Sequence, residues 1–213
     1  MTMKAAVKSN CLVILCHGVA AFGYDLNPVA EVLKAALPGA DVVTPDAPFP
    51  FDLGQGRQWF SQDGITPANR PERVVAARAA FDALVAGIIE GHGLTARLDR
   101  VALVGFSQGA IMVLDAAATG RWPLAVIVGL SGRLPTQEPL TPAPATPVLL
   151  VHGADDPVVP PNESKRAFTL LKAAGVAVEK HILPGVGHVV APEAAAMTAR
   201  FVAEALGRGI LVP

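Results

Sequence analysis

Val101-Ala102-Leu103-Val104-Gly105-Phe106-Ser107-Gln108-Gly109-Ala110-Ile111-Met112-Val113-Leu114 is the stretch on which the fold turns. Val101 to Val104 is an apolar run suited to a buried strand, and the residues from Ala110 to Ala118 read as a helix. Between them lies a single G-x-S-x-G, centred on Ser107. A turn from strand directly into helix is so sharp that the serine backbone is strained. The positions two residues to either side have no room for bulk, and glycine meets that demand. The helix then points its free N-terminal amides at the serine, where they favour negative charge.

Outward from this turn, apolar runs alternate with helical patterns along the whole chain. Upstream, 12–16 reads as a strand, 26–36 as a helix stopped by Leu37-Pro38-Gly39, and 41–44 as a second strand. A long connection, 45–70, carries Trp59 and Phe60. Pro71 then opens a helix to residue 90, with Val74, Val75, Arg78, Phe81, Leu84, Val85, Ile88 and Ile89 at core-facing spacing. Downstream, 125–130, 147–151 and 178–183 read as strands, and 163–173 and 193–206 as helices. The proline-rich segment 134–147 is a loop, expected to form one lip of a site above Ser107. This order predicts an α/β fold: one domain over 1–213, its mostly parallel sheet covered by helices on both faces.

Composition agrees with a sheet buried on both sides, since 52% of residues are hydrophobic and 16% charged. The net charge of −1, without a basic block, gives no electrostatic footprint for nucleic acid or an anionic membrane. No apolar run approaches the roughly 20 residues of a membrane span, and Met1 to Asn10 lacks the pattern of a secretory signal. Cys11 and Cys16, on one strand, would stand about 16 Å apart, too far for a disulfide. Reduced thiols and no signal predict a cytoplasmic protein.

Strand, G-x-S-x-G, helix is the nucleophile elbow of the α/β-hydrolase fold. A serine hydroxyl needs a base to take its proton, and the base needs a third group to orient it. In this fold they follow in the order serine, acid, histidine, each in a loop after a strand. Of the five histidines, His17 and His92 precede Ser107. His181 lies within a strand, and His152 ends one with no strand-end acid before it. His188, in Leu183-Pro184-Gly185-Val186-Gly187-His188, is the base. The acid is sought in His152-Gly153-Ala154-Asp155-Asp156-Pro157, where Pro157 restrains the backbone of Asp156 and modestly favours it. Asp155 is then expected to bond turn amides.

An acyl-transfer site also needs amides to hold the oxyanion. Gln108, the residue after the nucleophile, supplies one. Val19 supplies the other, after Gly18 in the loop that follows the first strand, with His17 bracing that loop. Phe22, Trp59 and Phe60 are the candidate walls of an acyl pocket. No metal or other cofactor is needed for this chemistry. A small acyl ester or thioester is the implied partner.

These motifs together resemble the phospholipase/carboxylesterase family of small α/β-hydrolases, which includes the acyl-protein thioesterases. The resemblance spans 12–206. It rests on Leu15-Cys16-His17-Gly18, Pro45-Asp46-Ala47-Pro48, Trp59-Phe60 and Gly105-Phe106-Ser107-Gln108-Gly109. It continues in His152-Gly153, Asp156-Pro157-Val158-Val159-Pro160 and Gly187-His188. It implies that Asp156 is the triad acid and that the protein is a serine carboxylesterase. The alternatives are a thioesterase or lysophospholipase for long acyl chains, or a catalytically silent ligand-binding relative. Two features depart from the family. Ser61 follows the Trp-Phe pair where the family usually has an aspartate, and the short stretch before the first strand implies a shortened N-terminal edge.

Overall fold

All six residues of β1 (Cys11–Cys16) are buried, and alternate side chains enter opposite cores. Leu12, Ile14 and Cys16 face one layer, while Cys11, Val13 and Leu15 face the other. That double burial explains why the run is apolar without alternation. The computed structural model describes residues 11–208. The expectations of a short N-terminal edge and of no signal concern residues outside that range.

The other sheet strands are β2 (Ala40–Val43), β5 (Val101–Phe106), β6 (Val126–Leu130), β7 (Val148–Gly153) and β8 (Val178–Leu183). They pair in the order β2-β1-β5-β6-β7-β8, and every pairing is parallel. On one face lie α2 (Arg70–Gly91), α3 (Gln108–Thr119) and α4 (Asn162–Ala173). On the other lie α1 (Asn27–Ala36) and α5 (Pro192–Arg208). The chain leaves β1 for one neighbour, β2, and returns to the other side of β1 as β5. Such a switch point opens a crevice at the carboxyl ends of the two strands. The register sets Cys16 beside Gly105, so the loop after β1 and the turn after β5 begin side by side.

Three local expectations are corrected. The 45–70 connection carries a small antiparallel hairpin, β3 (Phe49–Pro50) with β4 (Arg57–Gln58), tied to the first loop by Ala20 N to Arg57 O and Arg57 N to Ala21 O. On α2 the buried residues are Val74, Ala77, Phe81, Val85 and Ile89, while Val75 is exposed. The proline-rich loop does not form a lip along its length. Thr136 bonds Asp115, and Thr141 N donates to Ala118 O, so most of the segment runs down α3 away from Ser107. No helix of the described residues is long and apolar enough to cross a membrane.

Candidate active site

Ser107 is the residue between β5 and α3, with φ 53° and ψ −115°. That left-handed backbone costs a non-glycine residue of order 1–3 kcal/mol, held here by the packing around it. The flanking glycines are set by close approach. A β-carbon on Gly105 would lie 2.5 Å from the backbone of Gly109, and one on Gly109 would lie 2.2 Å from Cys16 O. The elbow therefore fits only because both positions lack side chains. Ser107 N donates to Leu130 O at 2.9 Å, which pins the turn to the end of β6.

The other two groups arrive from β7 and β8, which are hydrogen-bonded neighbours. His188 Nε2 lies 2.9 Å from Ser107 Oγ, and its Nδ1 lies 2.7 Å from Asp156 Oδ2. A carboxylate only accepts, so Nδ1 carries the proton and Nε2 is free to accept from the serine hydroxyl. The Phe106 ring packs against the imidazole at 5.0 Å between centroids. Sequence order thus brings Ser107, His188 and Asp156 into one hydrogen-bonded line.

Asp156 is more heavily bonded than the sequence reading anticipated. Its Oδ1 accepts the amides of Val158 and Val159, both at 2.8 Å. The turn bonds expected of Asp155 therefore belong to Asp156, and Asp155 is exposed. A further donor was missed. His152, fully buried, places Nε2 at 2.8 Å from Val159 O and at 3.2 Å from Asp156 Oδ2. Since Val159 O can only accept, Nε2 bears the proton, and Nδ1 accepts from Ser164 Oγ at 2.7 Å. Burial holds the pKa of His152 below the ordinary histidine value, against the opposing pull of Val159 O and Asp156. Burial acts against the charge of Asp156, but its bonds from His188, Val159 and Val158 outweigh that and hold its pKa below the usual carboxylate value.

The segments that carry Val19 and Gln108 are joined by the amide of Gly109, which donates to His17 O at 3.1 Å. Gln108 opens α3, so its N–H has no partner within the helix. A β-carbon on Gly18 would lie 3.4 Å from Ser107 Cβ, which shows how closely the backbone before Val19 approaches the serine. His17 braces this loop as expected. Ala47 N donates to its Nε2 at 2.9 Å, leaving Nδ1 to donate to Gly18 O at 2.6 Å. Desolvation keeps its pKa below the ordinary histidine value, against the carbonyl of Gly18 and the charges of Asp46 and Asp25. Asp46, next to Ala47, accepts the amide of Gly23.

Trp59 and Phe60 are corrected. They are 1% and 2% exposed and belong to the core, so neither offers a wall to a substrate. Trp59 Nε1 donates to His17 O at 2.8 Å, and its ring meets Phe81 edge-on. The Gln108 side chain clamps this segment, accepting from Trp59 N at 2.8 Å and donating to Phe60 O at 2.7 Å. The pair thus ties the loop after β1 to the start of α3. Phe22 is half-buried and stacks on the exposed Tyr24. Ser61, the departure from the family pattern, donates its hydroxyl to Asp52 and accepts from Arg73. Nearer the triad, Val158 and Val189 present apolar side chains to solvent, each about 60% exposed. Nothing in their spacing marked them beforehand.

The phospholipase/carboxylesterase family model matches residues 1–206. An esterase of Escherichia coli K12, YpfH, is 34% identical over 84% of this chain and 76% of its own. Acyl-protein thioesterase 1 of Gibberella zeae is 29% identical over 91% of this chain and 89% of its own. The crystal structure of esterase PE8 superposes with a TM-score of 0.83 at 31% identity, covering 93% of this chain and 94% of that one. This chain is therefore a hydrolase that belongs to the phospholipase/carboxylesterase family.

Proposed function

We propose that the protein is a serine carboxylesterase working through an acyl-enzyme, with Ser107 as nucleophile, His188 as base and Asp156 as the orienting acid. The observation that carries this reading is the unbroken line from Ser107 Oγ through His188 to Asp156, at 2.9 and 2.7 Å, beneath a strained serine. Ser107 Oγ attacks the ester carbonyl while His188 Nε2 takes its proton. The amides of Val19 and Gln108 receive the oxyanion, each such donor being worth roughly 3 kcal/mol in the transition state. His188 then protonates the departing alcohol, and water repeats the sequence on the acyl-enzyme. Asp156 holds the imidazole in the tautomer that leaves Nε2 free and stabilises the imidazolium once it forms.

Val158, Val189 and Phe22 are the apolar surfaces offered to the acyl chain. Thioester hydrolysis is the second reading, favoured by the likeness to the thioesterase of Gibberella zeae along nearly the whole chain. The chain 1–213 is read as one hydrolase domain, and its two buried cysteines, not joined in a disulfide, suit a reducing cytoplasm. A panel of p-nitrophenyl esters and matched acyl thioesters of increasing length tests the assignment. Turnover of short esters that requires Ser107 supports it. Turnover of thioesters alone would replace it with the second reading, and turnover of neither would end both.

A further inference from the structure

Behind the acid of the triad stands a second imidazole to which the proposed mechanism gives no role. Alternation along β7 sets Val148 and Leu150 against the layer of α2, α3 and α4, and Leu149 and Val151 against the other, so His152 falls on the α4 side. Ser164, in the first turn of α4, meets it there, and each of the two is 1% exposed. Ser164 Oγ lies 2.7 Å from His152 Nδ1. The opposite edge of the ring faces two acceptors, Val159 O at 2.8 Å and Asp156 Oδ2 at 3.2 Å. A proton on Nδ1 instead would set the Nε2 lone pair against a carbonyl and a carboxylate at once. The Nε2–H tautomer is therefore fixed from both sides.

The links run from Ser164 to His152, from His152 to Asp156 and from Asp156 to His188, and the last two share one atom. Asp156 Oδ2 lies 2.7 Å from His188 Nδ1 and 3.2 Å from His152 Nε2, while Oδ1 takes the amides of Val158 and Val159. The titratable groups facing that oxygen among the described residues are thus the two histidines. A neutral N–H there favours the ionised carboxylate and draws off part of the charge it presents to His188. A hydroxyl donating into Nδ1 polarises the ring and strengthens the N–H on its far side. Burial keeps the pKa of His152 below the ordinary histidine value, so near neutral pH it is a dipole and not a second cation.

We infer that His152 and Ser164 are positioning residues for the reaction: Ser164 locks the His152 ring, and the His152 Nε2–H moderates the pull of Asp156 on the imidazolium of His188, leaving the base free at a lower pH than a bare aspartate would allow. The inference rests on the Ser107, His188, Asp156 reading above. Its sign is fixed by the charge. A carboxylate relieved of that N–H attracts the imidazolium more strongly, so His188 keeps its proton to higher pH and the acid limb of activity moves upward. The two amides on Oδ1 still hold Asp156 in place, so the plateau at high pH should change less.

The test follows kcat/KM for p-nitrophenyl acetate from pH 5 to 9, because its acid limb reports the essential base of the free enzyme. In His152→Phe the midpoint of that limb should rise by about half a unit or more, a loss of roughly threefold at a fixed pH well below it. Ser164→Ala should move it in the same direction by less. His152→Gln, whose side-chain amide can place an N–H where Nε2–H stood, should return the midpoint to within about 0.2 units of native. A His152 that only fills space would lower the melting temperature in these variants and leave the midpoint where it was. A midpoint that stays or falls in both His152→Phe and Ser164→Ala, each shown to be folded by circular dichroism, overturns the inference. Should His152→Phe not fold, Ser164→Ala and ¹⁵N NMR of the native histidines decide. The native His152 should be the neutral Nε2–H tautomer from pH 6 to 8, and an Nδ1–H tautomer or a charged ring there overturns the inference. If the native protein hydrolyses no ester, the esterase reading fails instead. The NMR titration of His188 in native protein and in Ser164→Ala then judges the relay alone: an upward move in the variant supports it, and an unchanged titration overturns it.

Discussion

Among the described residues two aspartates are buried, Asp115 and Asp156, both rich in donors but of different kinds. Asp115, on α3, accepts Arg78 through both oxygens at 2.8 and 2.9 Å, Arg121 at 2.8 Å and Thr136 at 2.7 Å. Asp156 accepts two backbone amides and two histidines, one of which, His152, is held neutral by burial. Asp115 therefore has permanent cations, and its charge is spent on joining α2, α3 and the following loop. Asp156 has no arginine or lysine against it among the described residues, so in the proposed mechanism its charge is available to stabilise the imidazolium that forms on His188 when it takes the proton of Ser107. A carboxylate with fixed cationic partners builds structure, and one held by neutral donors is left for chemistry.

The sharpest way to break this contrast is to remove each charge while keeping its shape. Asp156→Asn should lower kcat by about 10⁴-fold, because an amide can stabilise the wrong imidazole tautomer, while the melting temperature moves far less than for any Asp115 variant. Circular dichroism melts beside ester kinetics on the same preparations check both halves. Asp115→Ala should do the reverse. Leaving Arg78 and Arg121 without their buried carboxylate should cost about 3–5 kcal/mol of stability, with kcat for p-nitrophenyl acetate close to native. If Asp115→Ala loses activity as steeply as Asp156→Asn, the division of labour is wrong.

Acid titration sharpens the same comparison. Burial opposes the charge of Asp115, but Arg78, Thr136 and Arg121 outweigh it, so its folded pKa lies below the ordinary value. Its stabilisation is then complete above the ordinary aspartate pKa of about 3.9 and is lost as pH falls through the lower folded value. His152 and His17 are lowered too, so the unfolded chain binds their protons first. Stability should thus begin to fall once pH drops below about 6.5, before the carboxylate limb. Urea melts across pH 3 to 8 should show the two limbs, and Asp115→Asn should flatten only the more acidic one. The smallest effect is expected at Asp155. It is exposed and its side chain carries no turn bond, its amide alone donating to Val186 O, so Asp155→Asn should change stability by within about 0.5 kcal/mol and leave kcat nearly unchanged.

Much of this organisation could be read beforehand, and the part that could not has a physical reason. Strand, tight turn and helix are local, so the elbow at Ser107 announces itself, and chain order then leads to His188. Asp115 joins Arg78 across 37 residues, and no local spacing advertises that bond. His152 was set aside by the order rule, which finds proton carriers and says nothing of a neutral donor behind the acid. Trp59 was misplaced for another reason. An aromatic side chain packs as readily into a core as against a substrate, and only its indole bond to His17 O and its contact with Phe81 decide the matter. Its removal should accordingly lower stability by about 3–5 kcal/mol. The preference between short and medium esters should change little, which melts and a two-ester assay on Trp59→Ala can check.

The central claim is that Ser107 is made nucleophilic by His188 and Asp156. Reaction with a fluorophosphonate, followed by peptide mass spectrometry, tests it most directly. The account predicts a single adduct on Ser107, formed in step with the loss of esterase activity and slowed by orders of magnitude in His188→Ala and Asp156→Asn. An adduct on another residue, full activity in labelled protein, or equally fast labelling of Ser107 in His188→Ala would contradict it.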